Sequence, residues 1–106
     1  MEETAPAAYE LRNGSDRALV VRGEIDLESR AAFVEALEKI LQQSDGAARV
    51  DLSGVTFMDS SGISALIECQ QRALDDGSQV VLIAPSTSCR RVLEILGLDD
   101  FFPIEG

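Results

Sequence analysis

The chain has no histidine. That absence removes Ser-His-Asp and Cys-His catalysis and the commonest transition-metal ligand. Cysteine is scarce too, with Cys69 and Cys89 the whole thiol inventory. Each falls in an apolar helical pattern, where a free thiol behaves as a small hydrophobe, and a zinc site needs more ligands than these. Such cysteine usage suits a reducing compartment, so a cytoplasmic protein without metal or cofactor is expected. Nothing approaches the ~18 apolar residues of a membrane-spanning helix. The start, Met1-Glu2-Glu3-Thr4-Ala5-Pro6, is acidic and has no signal-peptide apolar region. Positive charge is in short supply, with 9 Lys and Arg against 19 Asp and Glu and a net charge of −10. That balance argues against nucleic acid and against an anionic membrane surface, both of which call for clustered cations. A protein partner with a basic face is compatible with it, as is an acidic surface that serves solubility alone.

What is present reads as one domain of 106 residues with an ordinary hydrophobic fraction of 45%. Residues 1–7 read as a loose tail. Tyr9-Glu10-Leu11 alternates as a short edge strand, Asn13-Gly14-Ser15-Asp16 signals a turn, and Ala18-Leu19-Val20-Val21 reads as a second strand, making 9–22 a hairpin. Phe33, Leu37, Ile40 and Leu41 fall at helical spacing in a helix expected from Leu27 or Glu28 to Gln43, with acidic residues in its first turns. Ala48–Leu52 is a short central strand. A second helix is expected from Ser60 or Ser61 to Leu74, with Ile63, Leu66, Ile67, Gln70 and Leu74 on one face. Gln79–Ile83 is a near-continuous apolar strand. Ser86 is placed to cap a third helix whose inner face is Cys89, Val92, Leu93 and Leu96, and Gly97 suits its end. Phe101–Ile104 reads as a last edge strand. The order β-β-α-β-α-β-α-(β) predicts an α/β fold, a mixed sheet of four to five strands with about three helices mainly on one face.

The stretch Val50–Ile63 carries the chemistry. It reads as a buried strand, a short loop, and a helix that opens on Asp59-Ser60-Ser61-Gly62. A helix start gathers free N–H groups and the positive end of the macrodipole. A phosphate on Ser60 would change the local charge by about −1.5 to −2. Ser60 therefore reads as a switched residue, with plain capping as the alternative. Ser61 is expected to hold the helix start through its hydroxyl, and Asp59 to cap it. Gly62 serves either space or φ. Asp26 is open to two roles, N-cap of the first helix or partner contact, and Glu24 stands beside it. Phe57 is expected in the core under the loop, while an exposed Met58 would be an apolar interface anchor. Arg90 and Arg91 read as a solvated face.

These residues resemble the STAS domain family, and most closely the free-standing bacterial anti-sigma-factor antagonists. The resemblance rests on Gly23-Glu24-Ile25-Asp26, on Val50-Asp51-Leu52-Ser53, on Phe57-Met58-Asp59-Ser60-Ser61-Gly62, and on Pro85 followed by Val92, Leu93, Gly97 and Leu98. It implies that Ser60 is the phosphoacceptor, flanked by Asp59 and Ser61, with Gly62 allowing close backbone approach and Asp26 in a second contact loop. It also implies the partners. An anti-sigma factor that is itself a serine kinase binds the unphosphorylated form and so releases its sigma factor. Phosphorylation breaks the complex, and a serine phosphatase restores it. On this view the protein is not an enzyme, and it is a monomer or weak dimer. Two further readings stay open, a STAS subunit of a lipid-transport ABC complex and the STAS portion of an anion transporter or sensor. The intact Asp59-Ser60-Ser61-Gly62 favours the anti-sigma-factor antagonist over both.

Overall fold

The computed structural model describes residues 6–14, 17–44 and 46–106. Most of the expected tail, half of the expected 13–16 turn and Asp45 of the first helix stop lie outside the described residues. Strands β1 (Ala8–Arg12), β2 (Ala18–Ile25), β3 (Ala47–Met58), β4 (Gln79–Ile83) and β5 (Ile104–Glu105) alternate, after the opening hairpin, with helices α1 (Arg30–Gln42), α2 (Ser60–Asp75) and α3 (Thr87–Ile95). The sheet order is β1-β2-β3-β4-β5. β1 is antiparallel to β2, and every other neighbouring pair is parallel. The three parallel connections step in one direction across the sheet, and the right-handed preference of such crossovers puts all three helices on one face. Burial agrees: one core cluster joins Leu19, Val21, Ile25, Val50 and Leu52 of the sheet to Phe33, Leu37, Leu66 and Leu93 of the helices. The opposite face carries cross-strand ion pairs instead, Glu10–Arg22, Arg12–Asp51 and Arg49–Glu105.

The central strand is longer than its sequence suggests. β3 runs 12 residues, so the expected loop after Leu52 is strand. β4 pairs with its start, from Ala47 to Asp51, and β2 pairs with it from Val50 to Met58, so Val50 and Asp51 are paired on both sides. Between Val20↔Asp51 and Arg22↔Gly54, and again between Gly23↔Val55 and Glu24↔Phe57, β3 carries one residue more than β2. Each extra residue reverses which side chains face inward. Val50 and Leu52 point into the core, then Val55, then Met58, all buried. The first irregularity is held by Asp51, whose Oδ1 accepts from the Ser53 N–H at 2.9 Å and the Ser53 hydroxyl at 2.7 Å. Burial pushes the Asp51 carboxyl pKa up, but the Ser53 bonds and the Arg12 guanidinium outweigh it and hold it below its ordinary value.

Several sequence expectations shift. α1 begins at Arg30 with no acidic residue in its first turn, because Glu28 falls in the turn before it. Leu74 and Leu96, expected inward, are about half exposed, since each sits at a helix end where the core has run out. Gln70 is buried and satisfied: its Oε1 accepts from the Val80 N–H at 2.6 Å and its Nε2 donates to the Phe101 carbonyl at 3.0 Å. Arg90 is more than a solvated face, since it donates to the Pro85 and Gly106 carbonyls. The last strand is only Ile104–Glu105, while Phe101 and Phe102 pack edge to face in a turn with Phe102 buried. Both cysteines are buried free thiols. Burial pushes their pKa values up, that of Cys69 to about 11.

Candidate functional site

Two segments meet where the parallel strands β2 and β3 end. Ile25 pairs with Met58 and Glu24 with Phe57, and the Asp59 N–H donates to the Ile25 carbonyl at 3.2 Å. The turn after β2 and the start of α2 are thereby neighbours. This is the carboxyl end of a parallel sheet, where α/β folds place their ligand sites.

The start of α2 is built by Asp59, Ser61 and Gly62. Asp59 has an extended backbone, and its Oδ1 accepts from the Ser61 N–H at 2.8 Å. That is the geometry of an N-cap and satisfies one of the helix's orphan donors. Capping by Asp59 was expected. The expected hydroxyl bond of Ser61 is replaced by its backbone N–H. Gly62 is buried, and its φ is outside the left-handed region. A Cβ there would meet Met58 Cγ at 2.7 Å and Ile25 Cγ2 at 2.8 Å. Of the two roles open to Gly62, the structure selects space: α2 sits directly on the ends of β2 and β3. Ser60 is the first helical residue and is exposed.

The turn after β2 is closed by its own reciprocal bonds. The Ser29 N–H donates to Asp26 Oδ1 at 3.1 Å, and the Asp26 N–H donates to Ser29 Oγ at 2.9 Å. This is capping-box pairing, one turn ahead of α1. The expected N-cap role of Asp26 for α1 is not met, because the N-cap residue is Ser29 and Asp26 instead closes the turn ahead of the helix. Tyr9 braces the same turn. Its hydroxyl lies 3.4 Å from the Ser29 carbonyl, and its ring stacks on Phe33. Burial, then the nearby Asp26 charge, pushes the Tyr9 phenol up.

The structure thus brings together Glu24, Asp26, Met58, Asp59, Ser60, Ser61 and Gly62. It exchanges two of the apolar assignments. Met58 is 3% exposed and lies under Gly62, whereas Phe57 is 46% exposed, because the second β3 bulge turns it outward. Leu27 and Ser29 were not foreseen. Leu27 is 73% exposed in the turn itself. Ser29 was signalled by its spacing from Asp26, three residues on. Glu24, Asp26 and Glu28 line a shallow cleft of about 360 Å³ with Tyr9 and Ser29. Among the described residues no group of three or more His, Cys, Asp or Glu could hold a metal ion. No helix among them is long and apolar enough to cross a membrane.

Comparison with known proteins agrees with this geometry. The family model described as Mlab, STAS domain, matches residues 10–104. An anti-sigma-B factor antagonist of Listeria monocytogenes is 34% identical over 88 residues, which cover 82% of this chain and 76% of that protein. The anti-sigma-F factor antagonist RsfB of Mycobacterium tuberculosis is 31% identical over 84 residues, 79% of this chain and 68% of its own. The crystal structure of an anti-sigma factor antagonist from Mycobacterium paratuberculosis matches with a TM-score of 0.81 at 26% identity, over 97% of this chain and 90% of that one. The chain belongs to the STAS domain family.

Proposed function

We propose that this protein is an anti-sigma-factor antagonist that works by partner switching. Its unphosphorylated form binds an anti-sigma factor serine kinase, and the sigma factor is released. Phosphorylation of Ser60 abolishes that binding, and a serine phosphatase reverses it. The protein itself catalyses nothing. The observation that carries the reading is an exposed serine at the first position of a helix whose start is fixed by the Asp59 cap and the Gly62 contact. The names of its relatives point the same way.

The mechanism is electrostatic. A dianion on Ser60 lies at the positive end of α2, so the fold tolerates it. A partner packed over the same place must remove water from the new charge and oppose it. Asp59 beside it and Asp26 and Glu24 at the neighbouring strand end make that patch negative already, so the phosphate deepens an existing field. A loss of ~3 kcal/mol weakens binding more than a hundredfold.

The test is affinity capture from the native cell extract with wild-type, Ser60→Ala and Ser60→Asp baits, with mass spectrometry of the bound proteins and of Ser60. A histidine-kinase-like serine kinase held by wild type and Ser60→Ala and lost with Ser60→Asp supports partner switching. An ABC ATPase held whatever stands at 60 moves the protein to the lipid-transport reading.

A further inference from the structure

We infer that Leu27 is the apolar anchor through which this protein engages its anti-sigma factor, and that the partner meets it with an apolar pocket rimmed by Lys and Arg. The inference rests on the partner-switching reading and names the chemistry of the surface that does the binding. Leu27 is 73% exposed and sits two residues past Ile25, whose carbonyl is bonded to Asp59. It is outside the core cluster, so the fold does not use its side chain. Its backbone is nonetheless held. The Asp26–Ser29 bonds bracket it on both sides, and its own carbonyl accepts from the Arg30 N–H. An aliphatic side chain on a fixed turn has already lost part of the freedom that binding takes away. Phe57, 46% exposed and paired in register with Glu24, supplies a second apolar contact from the adjacent strand.

The rim decides the occupant. Glu24, Asp26, Glu28 and Asp59 surround these positions along the two segments, and none enters an ion pair among the described residues. Six acids elsewhere are matched with cations, as in Arg30–Glu68, Arg72–Glu38 and Arg49–Glu105, and the other unmatched acids among the described residues, Asp75, Asp76, Glu94, Asp99 and Asp100, lie toward the C-terminal ends of α2 and α3 or just after them. Apolar groups ringed by unmatched carboxylates fit a partner that offers an apolar hollow and cations around it. A second copy of this chain brings the same acids to the contact and is repelled, and an anionic membrane is repelled for the same reason.

The experiment uses the kinase retained by the Ser60→Ala bait, purified and titrated calorimetrically against wild type, Leu27→Ala, Phe57→Ala, Ile95→Ala and Ser60→Asp. Ile95 is equally exposed, at the far end of α3, and serves as the control for exposed apolar surface in general. Leu27→Ala is expected to raise Kd roughly tenfold or more, with an unchanged melting temperature, and added salt is expected to weaken wild-type binding. Ile95→Ala is expected to bind like wild type. Unchanged affinity of Leu27→Ala, with binding still lost in Ser60→Asp, overturns the anchor and leaves the switch standing. Weakened Leu27→Ala together with full binding by Ser60→Asp supports the anchor and overturns the switch. Capture of no such kinase overturns both.

Discussion

Replacing Gly62 by alanine tests whether the start of α2 is held by close packing. The added Cβ would come within 2.7 Å of Met58 Cγ and 2.8 Å of Ile25 Cγ2. Neither neighbour yields easily. Ile25 is fully buried in β2 with a stiff β-branched side chain, and Met58 is buried beneath the helix. Overpacking of this kind costs about 1–3 kcal/mol. Alanine regains up to about 1 kcal/mol of helix propensity in a helix interior, and less in a first turn. The net expectation is a loss of about 1–2 kcal/mol, with a fall in melting temperature of roughly 4–8 °C for each kcal/mol. Circular dichroism melts and urea titrations of both proteins measure it. In a Met58→Ala background the same change is expected to cost less, since the cavity receives the new methyl, with a coupling of about 0.5–3 kcal/mol. A Gly62→Ala protein as stable as wild type would refute the packing argument.

Asp59→Ala removes the bond to the Ser61 N–H and is expected to lower stability by ~1 kcal/mol, with Asp59→Asn retaining most of it; urea midpoints check this. Asp51→Asn weakens the hold on the first β3 irregularity and is expected to cost about 1–2 kcal/mol at neutral pH. Because folding lowers the Asp51 pKa, its stabilising contribution is complete above the ordinary carboxylate range, about 4, and is lost as pH falls through the lowered folded value. The gap between wild type and Asp51→Asn should therefore be constant near neutrality and close below about pH 4.

The order of elements was legible in the sequence because the apolar periods of α1, α2 and β4 are clean. Phe33, Leu37 and Ile40 recur at helical spacing, and Gln79–Ile83 is a nearly unbroken apolar run. The start of α2 was legible too, since Asp59-Ser60-Ser61-Gly62 at a strand-to-helix junction has a capping logic, while the switch role of Ser60 rested chiefly on the resemblance to the STAS family. The facing of Phe57 and Met58 was not. Two extra residues in β3 reverse the alternation twice, and their only local signals, Ser53-Gly54 and Thr56, look like loop. Whether Gly62 serves space or φ depends on what lies across from it, Met58 and Ile25, and Ile25 is thirty-seven residues away in the chain. Leu27 was read as the first residue of a helix. It became an exposed turn residue because Asp26 and Ser29 close a turn of their own before α1 begins.

The central claim is that charge on Ser60 controls partner binding, and one titration tests it most directly. The purified anti-sigma factor kinase is titrated with the unphosphorylated protein and with protein phosphorylated by that kinase and mapped by mass spectrometry. The account predicts phosphate on Ser60 alone, an unchanged fold by circular dichroism, and an affinity more than about a hundredfold weaker. Equal affinity of the two forms, or phosphate on another residue with Ser60 unmodified, would contradict it.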